Sequence, residues 1–300
     1  MPWLWSEPGE HPPERIVGES LGGGGALSPC PGCGWYWENR GGVCGGCGHV
    51  AGQAPDASAA GPIASGRLAP RKGGVPWGGG QVIAGIILVL LSLFTSAAAA
   101  SFIASLYPEQ EDAVATWISV HLMALAIVST IWFLGLRHSR YPLAVLRLSG
   151  IRLPRIGTVL LMVGVLATSL IATSLYAGIV RWLEVEILSP PDGASDIIFD
   201  GPAVLLTFQA LAFITPLSEE IFFRGFIFGA LLPRLGPWGA IVASALVFSA
   251  FHLSLGVVIP IFMTGFLLAW LYWRTGSLWA AIGAHAGQNA LALGVQALNG

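Results

Sequence analysis

LLTFQALAFITPLSEEIFFRGFIFGALL, residues 205–232, is the stretch on which the reading of this chain turns. It is long and apolar enough to cross a bilayer as a helix, yet Glu219, Glu220 and Arg224 sit near its middle. A charged side chain at the centre of a membrane helix costs roughly 3 kcal/mol or more. Such residues therefore face a protein interior, and they mark functional paths more often than packing.

The surroundings are of the same kind. Of 300 residues, 54% are hydrophobic and only 10% charged, with a mean hydropathy of +0.72. Soluble domains carry about 25% charged residues. Several apolar runs approach the ~20 residues that span ~30 Å of hydrocarbon. Helices are predicted over roughly 82–106, 113–136, 156–182, 202–232, 237–254, 257–274 and 278–298. The fold class expected is all-α: a multi-pass transmembrane bundle of about seven spans in the cell membrane, with the lipid bilayer as its solvent. A single lysine and no basic face exclude a nucleic-acid partner.

The first 80 residues differ. Their opening lacks the basic-then-apolar order of a signal peptide, so no cleavage is expected. The stretch CPGCGWYWENRGGVCGGCG holds all four cysteines, Cys30, Cys33, Cys44 and Cys47. Two CxxC knuckles at this spacing can place four thiolates tetrahedrally around one zinc, forming a small ribbon over 30–47 within an amino-terminal segment, 1–49. Two disulfides are the competing reading, and a reducing cytosol disfavours them. With four protein ligands such a site is closed, so it implies structure and recruitment of a cytosolic protein partner rather than catalysis. Residues 50–80, rich in Ala, Gly, Pro and Ser, read as a flexible linker to a membrane domain over 81–300.

Loop charges give an orientation. Arg137, Arg140, Arg147, Arg152 and Arg155 fall between the second and third predicted spans with no acid among them. Segments 107–112 and 184–200 carry acids and no base. The positive-inside rule then puts the amino terminus in the cytosol, and seven spans put the carboxyl terminus outside.

Within the spans the ionisable residues are His121, Glu219, Glu220, Arg224, His252 and His285. His121, alone in SVHLMAL, reads as a helix-packing histidine. The others gather in the last third of the chain. Glu219 and His252 lie symmetrically about the turn LPRLGPWG, residues 232–239, so a hairpin there brings them to one depth. His285 enters the seventh helix from the same side. Glu220 and Arg224 are i,i+4 in the order that favours a helical ion pair, whereas Glu219 points about 100° away from Glu220. Phe248 and His252 share one helix face, as do His285 and Asn289. Pro216 should bend or break the fourth helix.

The set Glu219-Glu220-x-x-x-Arg224, Phe248-x-x-x-His252 and His285-x-x-x-Asn289, on successive helices, resembles the CAAX protease and bacteriocin-processing (CPBP) family of intramembrane endopeptidases. The likeness covers about residues 200–298, the expected catalytic core. It implies hydrolysis of a peptide bond near the cytosolic membrane face of a membrane-associated protein or peptide, CAAX-like or otherwise. Glu219 and His252 would activate water, and His285 and Asn289 would stabilise the oxyanion. Glu220 and Arg224 would hold Glu219 in place. Two histidines and a glutamate are also a zinc-ligand set of metalloprotease type, but no HExxH pair is present, and the reading leans to a glutamate base with a catalytic zinc left open. The alternatives are a non-enzymatic scaffold or bacteriocin-immunity protein recruiting a partner through the ribbon, and a transporter. Helix glue usually uses Ser, Thr or Asn, and the polar residues gather at one level rather than along a path.

Two outcomes follow from the sequence alone. A cysteine introduced at Arg147 should be shielded from an impermeant thiol reagent on intact cells, and one at Asp192 labelled; the reverse pattern overturns the orientation. Cys30→Ser with Cys33→Ser should abolish zinc in a 1–80 fragment assayed by elemental analysis, and zinc retained at one equivalent rules out the ribbon.

Overall fold

The computed structural model describes residues 27–29, 36–38, 75–137, 139, 142–148, 156–189 and 195–299. Cys30, Cys33, Cys44 and Cys47, most of the linker expected over 50–80, and Arg140, Arg152, Arg155 and Asp192 lie outside the described residues. Two short strands, β1 (Leu27–Pro29) and β2 (Tyr36–Glu38), pair antiparallel with Leu27 opposite Glu38.

From residue 79 onward the long elements are helices. α1 (Gly79–Ala104) packs along α2 (Pro108–Leu136), and α3 (Ile156–Leu183) packs on α6 (Leu255–Thr275) and α7 (Leu278–Asn299). Between α3 and α6 runs a 50-residue helical trace, Gly201–Ala250. It is interrupted at Gly236, whose φ of 67° and ψ of 178° only glycine adopts without a Cβ clash. This divides it into α4 (201–235) and α5 (237–250). Ring contacts pair Phe223 with Phe248 and Phe222 with Phe251, and Ser244 Oγ donates to the Phe223 carbonyl. Each pair straddles Gly236 almost evenly, so α4 and α5 form the hairpin expected from the turn at 232–239.

Among the described residues five stretches are long and apolar enough to cross a membrane: Gly79–Ala104, Pro108–Leu136, Ile156–Leu183, Gly201–Ala250 and Leu255–Thr275. The expected fourth and fifth spans are joined in one of these. The expected seventh, α7, is not among the five, because His285, Gln288, Asn289 and Gln296 dilute its apolar content. The surface has the polarity a bilayer demands. Ile83, Leu91, Phe94, Leu125, Phe133 and Leu175 are exposed, while Glu220 and Arg224 are wholly buried.

Three expectations are revised. Pro216 does not break α4: Ile214 and Thr215 before it keep helical dihedrals. Instead the turns widen on both sides of it, over Phe208–Ile214 and Ile221–Phe228. A wide turn bonds each amide five residues back, so the missing proline N–H shifts the register without ending the helix. Second, α5 ends at Ala250, short of the expected residue 254. His252 occupies the exit turn, beside Leu253 at a φ of 52°. The expected linker also stops early. Val75 and Trp77 are buried, Trp77 stacking on Phe226 and donating its indole N–H to the Phe226 carbonyl at 2.9 Å.

Candidate active site

Arg224 organises the middle of the bundle. From α4 its Nη1 donates to Glu220 Oε1 at 2.9 Å, across the helical turn that the i,i+4 spacing anticipates. Its Nη2 donates to the Gly265 carbonyl on α6 at 2.9 Å. The guanidinium carbon stands 4.5 Å from the ring centroid of Phe248 on α5, a cation–π distance. Gly265 is required for this approach: a Cβ there would lie 2.8 Å from the Phe248 ring.

Glu220 does more than pair with Arg224. Its Oε1 also receives His285 Nδ1 of α7 at 2.9 Å. An ionised carboxylate can only accept, so His285 carries its proton on Nδ1. That leaves Nε2 pointing elsewhere, and 3.8 Å away stands Glu219 Oε2. The separation is too long for a direct hydrogen bond and short enough for one water to touch both. The two adjacent carboxylates thus live differently. Glu220 is fully enclosed, whereas the Glu219 side chain is 22% exposed.

Glu219 opens onto a cavity of about 200 Å³ bounded by α1, α2, α4 and the end of α5. His252 shares its wall. His252 Nδ1 lies 3.0 Å from the Phe248 carbonyl, which can only accept, so Nδ1 carries the proton and Nε2 keeps a lone pair. It stands in the exit turn rather than on a helix face, and its ring packs edge-on against Phe248.

Asn289 lies one turn beyond His285 on α7. Its Nδ2 donates to the Leu211 carbonyl of α4 at 2.9 Å, in the wide-turn segment, and it does not line the cavity. The structure therefore joins Glu219, Glu220, Arg224 and His285 into one cluster, sets His252 across a shared wall, and places Asn289 at the edge. His121 is elsewhere, as a packing residue would be. Its Nδ1 bonds the Trp117 carbonyl at 2.7 Å and its Nε2 receives Gln209 at 3.0 Å, while Trp117 Nε1 donates to Gln209 Oε1 at 3.1 Å. This closed set ties α2 to α4.

For a catalytic zinc the donors do not converge. Glu219 Oε2 and His285 Nε2 face one another, but among the described residues no three of His, Cys, Asp or Glu gather closely enough to hold an ion. A three-ligand zinc site is not what these residues form. The residues that sequence reasoning missed are on α1 and α2, chiefly Ser96, Ala97 and Met123 of the cavity wall. For Ser96 and Ala97 the run TSAAAAS, residues 95–101, signals only that another group can come close to that helix, not which one, and Met123 has no such signal.

Residues 201–291 match the family described as type II CAAX prenyl endopeptidase Rce1-like. The chain is 34% identical over 94 residues to "Putative membrane peptidase YdiL" of Bacillus subtilis (strain 168), covering 31% of this chain and 38% of that protein. It is 26% identical over 125 residues to "UPF0177 protein YxdF" of Lactococcus lactis subsp. lactis (strain IL1403), covering 41% and 67% respectively. The chain thus spans well under half the length of the first of these relatives. No solved structure matches it. The matched segment begins with α4 and contains every residue of the cluster.

The cluster makes a stability prediction. Arg224→Ala leaves Glu220 buried with its charge uncompensated, which should cost about 3–5 kcal/mol in reversible unfolding in detergent. Adding Glu220→Gln should recover part of that loss. An Arg224→Ala protein as stable as the wild type would show that the charge is not held as described.

Proposed function

We propose that the chain is an intramembrane endopeptidase that hydrolyses a peptide bond of a membrane-associated protein or peptide, CAAX-like or otherwise, with Glu219 as its base. One observation carries this reading. Of two adjacent carboxylates, one is buried and held through its Oε1 by Arg224 and His285, while the other is partly exposed and reaches a cavity that His252 also lines, with the Nε2 of His285 3.8 Å away. The match of 201–291 to an endopeptidase family and the likeness to a protein named as a membrane peptidase support it.

The chemistry proposed is water addition. A water held between Glu219 and the Nε2 lone pair of His252 gives a proton to Glu219 as its oxygen attacks the scissile carbonyl. His285, held by Glu220 through Nδ1, turns Nε2 toward the site and supports the oxyanion when that nitrogen also carries a proton. By the family likeness Asn289, which donates to the Leu211 carbonyl at the edge of the cluster, joins His285 in this role once substrate is bound. As the C–N bond breaks, Glu219 returns its proton to the leaving amine, so the enzyme ends as it began. Glu220 and Arg224 are positioning residues here: they set the tautomer and direction of His285.

The surroundings of the site are proposed with it. Seven helices cross the membrane, the arginine-rich loop after α2 and the amino terminus face the cytosol, and the four cysteines hold a structural zinc whose ribbon recruits a cytosolic partner. The segregation of arginine and acid between loops supports the orientation.

Glu219→Gln keeps shape and hydrogen bonding but removes the base. Cleavage of a membrane-reconstituted peptide library should fall by roughly 100- to 10,000-fold with unfolding unchanged. His252→Ala and His285→Ala should inactivate without loss of expression. Wild-type turnover in Glu219→Gln would refute the peptidase assignment and leave the cluster as helix glue, in keeping with a scaffold.

A further inference from the structure

The cavity beside Glu219 has a second property beyond reaching the base. Its far wall is built by α1 and α2, with Ser96 and Ala97 on one and Val120 and Met123 on the other. All four lie outside the segment 201–291 that matches the endopeptidase family. Among the lining residues Glu219 and His252 alone are ionisable, so beyond the reacting end the space is apolar, with only small hydroxyls such as Ser96 and Ser119 in its wall.

Size narrows what can enter. A dry cavity of ~150 Å³ inside a protein accommodates a benzene molecule, whereas pockets for drug-sized ligands run ~300–1,000 Å³. At about 200 Å³ this one is of the size that holds a single large apolar side chain. A peptide whose scissile carbonyl is attacked by a Glu219-bound water necessarily places a neighbouring side chain within a few ångströms of that carboxylate.

We propose that this cavity is the specificity pocket for one residue flanking the scissile bond, that it selects an apolar side chain of about leucine or phenylalanine size, and that Ala97 and Met123 set its limit. This rests on the endopeptidase reading. Ala97 has no side chain beyond Cβ, so the pocket's depth toward α1 exists because that position is small. Met123 is flexible and apolar, and its loss would deepen the pocket toward α2. The catalytic cluster and the selecting wall thus come from different parts of the chain.

The test uses the full-length protein in proteoliposomes and a random-sequence peptide library carrying a palmitoyl anchor, with new termini read by mass spectrometry. Wild-type cuts should share an apolar residue at one flanking position. Matched peptides with Phe or Ala there should differ in kcat/KM by about 10-fold or more, the scale of methylene discrimination by an apolar pocket. Ala97→Leu should reduce or invert that ratio, and Met123→Ala should extend acceptance to Trp. A simple packing defect would lower both peptides together and leave the ratio intact. Cleavage without a flanking preference, or a Phe-to-Ala ratio unmoved by Ala97→Leu, overturns the pocket while leaving the peptidase standing. Absence of any Glu219-dependent cleavage overturns both.

Discussion

A guanidinium inside a membrane-spanning bundle must be neutralised, hydrogen-bonded and shielded at once, and Arg224 draws each from a different place. Glu220 supplies the countercharge from its own helix, the Gly265 carbonyl supplies an acceptor from α6, and the Phe248 ring covers it from α5. Because Glu220 also holds His285, α7 is tied to the same point. Four helices therefore meet through one side chain that is completely buried. In hydrocarbon, apolar contacts between helices gain little over contacts with lipid tails. These few polar contacts favour one arrangement of the four over its neighbours, and the direction of His285 is set by that arrangement.

The wide turns of α4 belong to the same economy of backbone bonds. A membrane helix cannot leave carbonyls unpaired where no water reaches them. Around Pro216 the chain reroutes its bonding over Phe208–Ile214 and Ile221–Phe228. Carbonyls of the first widened segment then become acceptors for side chains of other helices, as Leu211 is for Asn289. The second does likewise, with Phe223 accepting from Ser244 and Phe226 from Trp77. What loosens α4 internally fastens it externally.

Much of this was legible in the sequence, for a physical reason. Charge is so costly in a membrane that Glu219, Glu220, Arg224, His252 and His285 stand out against an apolar background, and helical spacing fixes which of them share a face. The hairpin at Gly236 followed from symmetry about one turn, and the Glu220–Arg224 contact from i,i+4 spacing. What could not be read was set by contacts between distant elements. Nothing local says that Glu220 would serve His285, 65 residues away, or that α5 would stop at Ala250 and leave His252 in a turn. The widening around Pro216 depends on partners from other helices, and the role of Ala97 depends on which helix lies opposite. An alanine carries no signature of the space it leaves.

Trp77 carries a consequence for how the protein is made. Its indole is bonded to a carbonyl 149 positions later in the chain, and its ring fills the space left by Gly135. At a synthesis rate of ~5–20 residues per second, roughly 7–30 s separate the emergence of the donor from that of its acceptor. In the course of that interval α1 and α2 are made and can offer Gly135 to the Trp77 ring, yet the indole N–H and the Gly85 face still lack Phe226. Assembly of this bundle thus cannot proceed strictly from its first helix onward. The segment just ahead of α1 is made long before its Phe226 contacts can form, and slow-synthesis or arrest points placed between α3 and α4 should govern how long it waits.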